Sequence, residues 1–142
     1  KELADRIVAP PGTKDYSALS VWIQSQCRVE LVRTLPPSVF WPRPKVNSAI
    51  IHVEVDATLR ERVGDLPYFH DFVRSLFFHR RKFLRGVLHS AVKDRLDKPA
   101  IDAVLARLNL GGETRAEQLD VATIVKLSDE MRKALSLAPL TR

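Results

Sequence analysis

Two short β-forming runs are separated by a segment that neither a strand nor a helix can traverse, and this limits the fold more than any other feature. Arg28–Arg33 is β-branched and reads as one strand. Asn47–Val55, carrying Ile50, Ile51, Val53 and Val55, reads as another. Between them, Leu35–Val46 holds four prolines in twelve residues. Proline fixes φ, removes a backbone donor and restricts the residue before it, so this loop is stiff and irregular. Two strands alone make a marginal sheet unless helices cover it. One edge of the second strand would be apolar and open, which invites edge-strand self-association. The opening run Lys1–Val8 is helical in pattern but has no Ser, Thr, Asp or Asn before it as a cap. The expectation is that the chain is the C-terminal part of something longer.

Elsewhere the periodicity is helical. Tyr16–Cys27 places Leu19, Trp22, Ile23 and Gln26 at helical spacing, after Pro10-Pro11-Gly12 has ended the first helix. Asp71 to about Ala91 carries apolar residues at helical spacing, with a break expected near His79. Pro99–Leu108 reads as a short helix ended by Gly111-Gly112, and Asp120 as the N-cap of a last helix through Leu135. The coarse order is helix, helix, strand, proline loop, strand, then about four helices, with a boundary near Ala57–Gly64.

The charge is concentrated. The chain has 23 Lys and Arg against 17 Asp and Glu, a net +6. From Phe72 to Lys93 there are six basic residues (Arg74, Arg80, Arg81, Lys82, Arg85, Lys93) and no acidic one, so this stretch equals the whole surplus. Such a block points to a phosphate-bearing partner. Were the helix to continue past His79, Arg74, Phe78, Arg81, Arg85 and His89 would share one stripe, with no local carboxylate to relieve their repulsion. In the proline loop, Phe40 and Trp41 are interleaved with Arg43 and Lys45, the pairing of rigid aromatic and cation that base stacking requires. The simpler alternative is that Phe40 plugs the core and Trp41 shields it.

Several chemistries are excluded. The five glycines form no G-x-G pattern, so a glycine-rich phosphate or dinucleotide loop is absent from this sequence. There is no G-x-S-x-G or H-E-x-x-H motif, and His70-Asp71 reads as a helix start, not a dyad. The lone Cys27 reads as a core residue. With one cysteine and four scattered histidines, neither a disulfide nor a zinc site is expected, which fits a cytoplasmic location. No stretch approaches a membrane span, and no secretory leader is expected.

Four motifs together carry a family. Lys1-Glu2-Leu3-Ala4-Asp5-Arg6-Ile7, Pro11-Gly12-Thr13-Lys14-Asp15-Tyr16-Ser17, Phe40-x-Pro42-x-Pro44-Lys45-Val46-x-Ser48 and Phe78-x-Arg80-Arg81-Lys82 closely resemble the ribosomal RNA adenine dimethyltransferases. Arg115-Ala116-Glu117-Gln118-Leu119 resembles a further segment of their C-terminal domain. The resemblance implies an α/β remnant plus an all-α part. Residues 1–58 would hold the edge strand pair of a doubly wound methyltransferase sheet with flanking helices, and 59–142 a small helical rRNA-binding domain. It implies a parent enzyme that transfers methyl groups from S-adenosylmethionine to N6 of adenines in small-subunit rRNA, within the assembling small ribosomal subunit. The family's glycine-rich cofactor loop, acidic ribose-binding residue and N-[LIV]-P-Y element lie upstream of its K-E-x-A-x-R helix and are not in this sequence. No cofactor is therefore expected on this part, which alone would be inactive. By resemblance, Phe40 stacks on the flipped target adenine. Arg80, Arg81, Lys82 and Arg115 match basic residues linked to rRNA binding; Arg43, Lys45, Arg74 and Arg85 join them on charge grounds. Asn47 replaces a common family Asp, and Ala18 a position that is basic in some relatives.

Two other functions compete. One is a non-enzymatic ribosome-assembly module that binds rRNA through its basic helices. The other is the antibiotic-resistance type of methyltransferase, which modifies large-subunit rRNA; the F-x-R-R-K and R-A-E elements favour the small-subunit type.

Overall fold

β1 (Cys27–Leu35) and β2 (Ser48–Val55) pair antiparallel, from Cys27 opposite Val55 to Leu35 opposite Ser48. In this computed structural model, residues 1–92 and 95–137 are described. The register slips between Leu31, opposite Ile51, and Arg33, opposite Ile50. Val32 is the extra residue, a β-bulge that the strand pattern does not reveal. Both strands are longer or differently bounded than expected, and Cys27, instead of lying in the core, opens β1 half-buried. Leu31, Val32, Ile50, Val53 and Val55 remain exposed on this ribbon.

Helices lie on both sides of the ribbon in sequence. α1 (Glu2–Val8) and α2 (Ala18–Gln24) precede it; α3 (Ala57–Arg62), α4 (Leu66–Phe78), α5 (Leu84–Val92), α6 (Lys98–Arg107) and α7 (Val121–Leu137) follow it. Short 3-10 turns occupy Pro37–Val39 and Ala116–Gln118. The apolar pattern gives no sign of α3. Its cause is Asp56, whose carboxylate accepts from the amides of Thr58 (2.9 Å) and Leu59 (3.2 Å) and also pairs with Arg28 at 2.8 Å. The same device starts α4 at Asp65, α6 at Asp97 and α7 at Asp120, each accepting from a backbone amide three residues on. Asp120 is the cap expected from sequence. α6 ends at Arg107, within a residue of the expected Leu108, but the stop is made by Asn109 and not by Gly111-Gly112: Asn109 takes the left-handed conformation (φ 57°), with the Leu110 amide donating to the Leu105 carbonyl at 2.9 Å. Asn tolerates that region better than other non-glycine residues.

One core joins the chain's two ends. Tyr16 and Val21 belong to the same buried cluster as Phe69, Val73, Leu76, Leu84, Ile101, Ile124, Leu127 and Met131. Tyr16 is fully buried, sets its ring edge-on to Phe77 at 5.6 Å, and donates from Oη to the Leu119 carbonyl at 2.7 Å. Burial, with the Asp120 charge added, pushes its phenol pKa well above the ordinary 10.0. Gln24 ties α2 to α1 by donating to the carbonyls of Ile7 (2.8 Å) and Ala9 (2.9 Å).

Candidate nucleic-acid interface

The proline loop presents its aromatics outward. Phe40 follows the 3-10 turn in extended conformation (φ −111°, ψ 151°), with its amide donating to Pro37 at 3.2 Å. Phe40 is 38% exposed and Trp41 96% exposed, so neither side chain plugs the core of this chain. The Trp41–Pro42 peptide is cis. Arg43 and Lys45 lie on the same loop, Arg43 exposed, and make no ion pair among the described residues.

The basic stretch does not form one continuous helical stripe. α4 stops at Phe78, because His79 leaves helical geometry (φ −125°, ψ 52°), and the chain reverses through residues 79–83 before α5. The Lys82 amide donates to the His79 carbonyl at 3.0 Å, and the Leu84 amide to Thr114 at 2.7 Å. Phe83 and Arg115 form an antiparallel bridge, and the Arg115 guanidinium stands 5.5 Å from the Phe83 ring centroid. Arg81, Lys82 and Arg115 are thereby brought to one neighbourhood, while Arg74 and Phe78 stay on α4 and Arg85 and His89 on α5. Lys93 lies outside the described residues. The apolar side of the stretch meets the core as expected: Leu76, Leu84 and Val87 are buried.

The expectation that these cations face no carboxylate fails for two of them. Arg80 donates to Glu117 Oε2 from Nε (3.3 Å) and Nη2 (3.2 Å), and also to the carbonyls of Lys14 (3.2 Å) and Thr13 (3.0 Å). The Gly12 amide donates to the Glu117 carbonyl at 2.8 Å. Gly12 is at φ 80°, a conformation that excludes most side chains. Arg80 is thus a strut that clamps the α1–α2 loop onto the second 3-10 turn. Arg85 forks onto Asp102 at 2.6 and 2.9 Å, and that hydrogen bond holds the Asp102 carboxyl below its ordinary pKa. Sequence reasoning misses both acceptors because they lie 37 and 17 residues away from their arginines. Arg74, Arg81 and Lys82 make no ion pair among the described residues.

Among the described residues, no group of three or more His, Cys, Asp or Glu is arranged to hold a metal ion. No helix among them is long and apolar enough to cross a membrane. A cavity of about 450 Å³ lies between α2, α3 and α7, lined by Gln24, Leu59, Arg62, Val125, Lys126 and Asp129 among others.

A two-stranded antiparallel sheet, flanked by helices and continued by a helical bundle, defines the structural class: a fold shared with parts of solved rRNA methyltransferase structures. The profile of the ribosomal RNA adenine dimethylase family matches residues 1–129, and the chain belongs to that family. It is 38% identical over 131 residues to a Ribosomal RNA small subunit methyltransferase A of Halothermothrix orenii, covering 92% of this chain and 44% of that protein. Against the protein of the same name from Anaplasma phagocytophilum it is 39% identical over 133 residues, covering 93% and 46%. The chain therefore spans less than half the length of these relatives. A crystal structure of a dimethyladenosine transferase from Plasmodium falciparum superposes with a TM-score of 0.81 at 24% identity, over 94% of this chain and 55% of that one. The 23S rRNA methyltransferase ErmE superposes with a TM-score of 0.56 at 20% identity, over 92% and 51%.

Proposed function

We propose that this chain is the C-terminal part of an S-adenosylmethionine-dependent enzyme that dimethylates N6 of adenines in small-subunit rRNA. The observation that carries the reading is Phe40: an aromatic ring held out of the core on a proline-braced loop, beside two cations without ion pairs among the described residues. The small-subunit names of the relatives support the substrate. Residues 1–58 contribute the sheet edge and residues 59–142 the rRNA-binding helices, and the protein acts in the cytoplasm on the assembling small subunit.

The division of labour follows from chemistry. A base turned out of its helix needs an aromatic face to replace the stacking it loses, and Phe40 supplies one from a backbone that prolines hold in place. Arg43 and Lys45 draw the flanking phosphates to the same loop. Arg81, Lys82, Arg74 and Arg115 grip the RNA at a distance from the target, so that binding energy aligns the adenine amino group for transfer. S-adenosylmethionine supplies the methyl group. The residues of this chain do not fit that cofactor: the 450 Å³ cavity is lined by one carboxylate, Asp129, already held by Arg132 at 2.8 Å and Lys133 at 3.1 Å. No step is assigned to a cofactor site here, and the cofactor pocket falls to the remainder of the longer protein.

The test uses the longer protein with a small-subunit rRNA transcript. Phe40→Ala is expected to abolish dimethyladenosine formation even at RNA concentrations that saturate the variant, while the lost stacking weakens RNA binding by no more than about 1–3 kcal/mol. Arg81→Gln with Lys82→Gln is expected to lower the slope of log K against log salt by about 1.4–1.8, for two lost phosphate contacts. Full activity in the Phe40 variant, or an unchanged salt slope in the double variant, overturns the corresponding assignment.

A further inference from the structure

A second aromatic is left open where packing does not require it. Phe78, the last residue of α4, is 79% exposed, although the same helix buries Phe69, Val73 and Leu76. A lone exposed apolar residue is ordinary in itself. Phe78, however, lines a cleft of about 320 Å³ between α4 and α5, with Arg74, Ser75, His79, Val87 and Ser90. The Phe78 and His79 rings meet at 85° with centroids 4.7 Å apart, forming a corner of two aromatic surfaces. The cleft thus combines an apolar floor at Val87, a free π face, and a rim of hydroxyl, imidazole and guanidinium groups able to hydrogen-bond a heterocycle's edge.

We propose that this cleft is a docking site for one unpaired nucleobase of single-stranded RNA, stacked on Phe78, separate from the Phe40 position. The inference rests on the RNA-binding reading above and deepens it. Charge selects the occupant. Phe72 to Val92 contains five cations and no carboxylate. Arg80 and Arg85 are neutralised from within, which leaves Arg74 in the cleft and Arg81 and Lys82 in the adjoining turn without ion pairs among the described residues. An apolar peptide docking here would leave those charges uncompensated. A nucleotide brings one flat ring for the cleft and one phosphate for the cations. The break at His79 matters for this reason: in a continuous helix Phe78 and Arg81 would sit on a convex rod, whereas the reversal folds α5 against α4 and makes a concavity.

The experiment measures binding by fluorescence anisotropy with two probes of equal length: an RNA hairpin with an unpaired loop, and a blunt RNA duplex with every base paired. Phe78→Ala is expected to weaken hairpin binding by roughly 5- to 140-fold. Duplex affinity and the salt slope should stay at parental values. Phe78→Trp keeps a stacking face and should retain hairpin binding. Because the ring is largely exposed, thermal melting of Phe78→Ala should match the parent within about a degree or two. The proposal is overturned if Phe78→Ala binds the hairpin as the parent does, if it loses hairpin and duplex equally, or if Phe78→Trp fails as Phe78→Ala does. Failure of the underlying RNA reading looks different: the Arg81→Gln, Lys82→Gln variant would then keep the parental salt slope. A normal Phe78→Ala result beside a flattened slope in that double variant sinks the base site alone.

Discussion

Replacing Tyr16 by phenylalanine isolates a single buried hydrogen bond. The substitution keeps the ring, and with it the edge-on contact to Phe77, so packing is conserved. What is lost is the Oη donor that meets the Leu119 carbonyl at 2.7 Å, in a region where both residues are buried. A buried acceptor left without its partner costs about 1–3 kcal/mol, which for a chain of this size is a fall in Tm of roughly 3–12 °C. The pH dependence supplies a second, sharper readout. The folded phenol has its pKa raised above 10.0, first by burial and then by Asp120. The unfolded chain therefore releases this proton at a pH where the folded chain still holds it. The stabilisation is complete below about pH 10 and is lost as pH rises toward the folded value, at about 1.4 kcal/mol per pH unit. Urea unfolding followed by tryptophan fluorescence at about pH 8 and pH 11 should show the stability gap between the parent and the Tyr16→Phe variant narrowing or reversing by roughly 1 kcal/mol at the higher pH. Tyr68, also raised by burial, titrates identically in both proteins and cancels in the difference. A gap of the same size at both pH values, or no gap at neutral pH, refutes the assignment of Tyr16 as the pin between the chain's two ends.

Asp65→Ala should destabilise the chain by about 0.5–2 kcal/mol in chemical denaturation, because the cap on the Tyr68 amide (3.0 Å) is removed, and Asp65→Asn should restore most of the loss. Asp56, Asp102, Asp120 and Asp129 all have pKa values held below 3.8, chiefly by hydrogen bonds from, in order, Leu59, Arg85, Thr123 and Lys133. Their stabilisation is present above the unfolded value and lost as pH falls through the folded ones, so Tm should drop on acidification below about pH 4. Asp102→Asn, which has already lost its share, should show a shallower acid limb in a Tm-against-pH series.

Local chemistry is legible in the sequence and long-range pairing is not. The two strands, the loop that four prolines impose, the break near His79 and the Asp120 cap all follow from a residue and its immediate neighbours, and each is present. The bulge at Val32 escapes because either register gives a plausible alternation until the partner strand is known. α3 escapes because its apolar content is slight and its signal is a single capping carboxylate. The end of α6 is read to within a residue, but the residue that ends it is Asn109 and not Gly111-Gly112, because glycine is the commoner left-handed residue. At the candidate site, the sequence identifies a cationic stretch but does not tell which charges are neutralised internally. That depends on Glu117 and Asp102, which only the packing of α6 and the second 3-10 turn brings into reach.

The adjacent pair Arg80 and Arg81 shows how a run of like residues divides its work. The cations of the 79–83 turn repel one another, weakly where solvent screens them. Arg80 relieves this by facing inward, where Glu117 and the carbonyls of Thr13 and Lys14 take up its donors. With side chains about one-quarter exposed, the Arg80–Glu117 pair is less screened than a surface ion pair while still avoiding the full desolvation penalty of a buried one. The clamp fixes the turn against the α1–α2 loop and orders the backbone that carries Arg81 and Lys82. Arg81 and Lys82 stay exposed to solvent on that ordered backbone. Arg80 is thus committed to internal contacts and Arg81 is left without an ion pair among the described residues, although the sequence writes them side by side as the same amino acid.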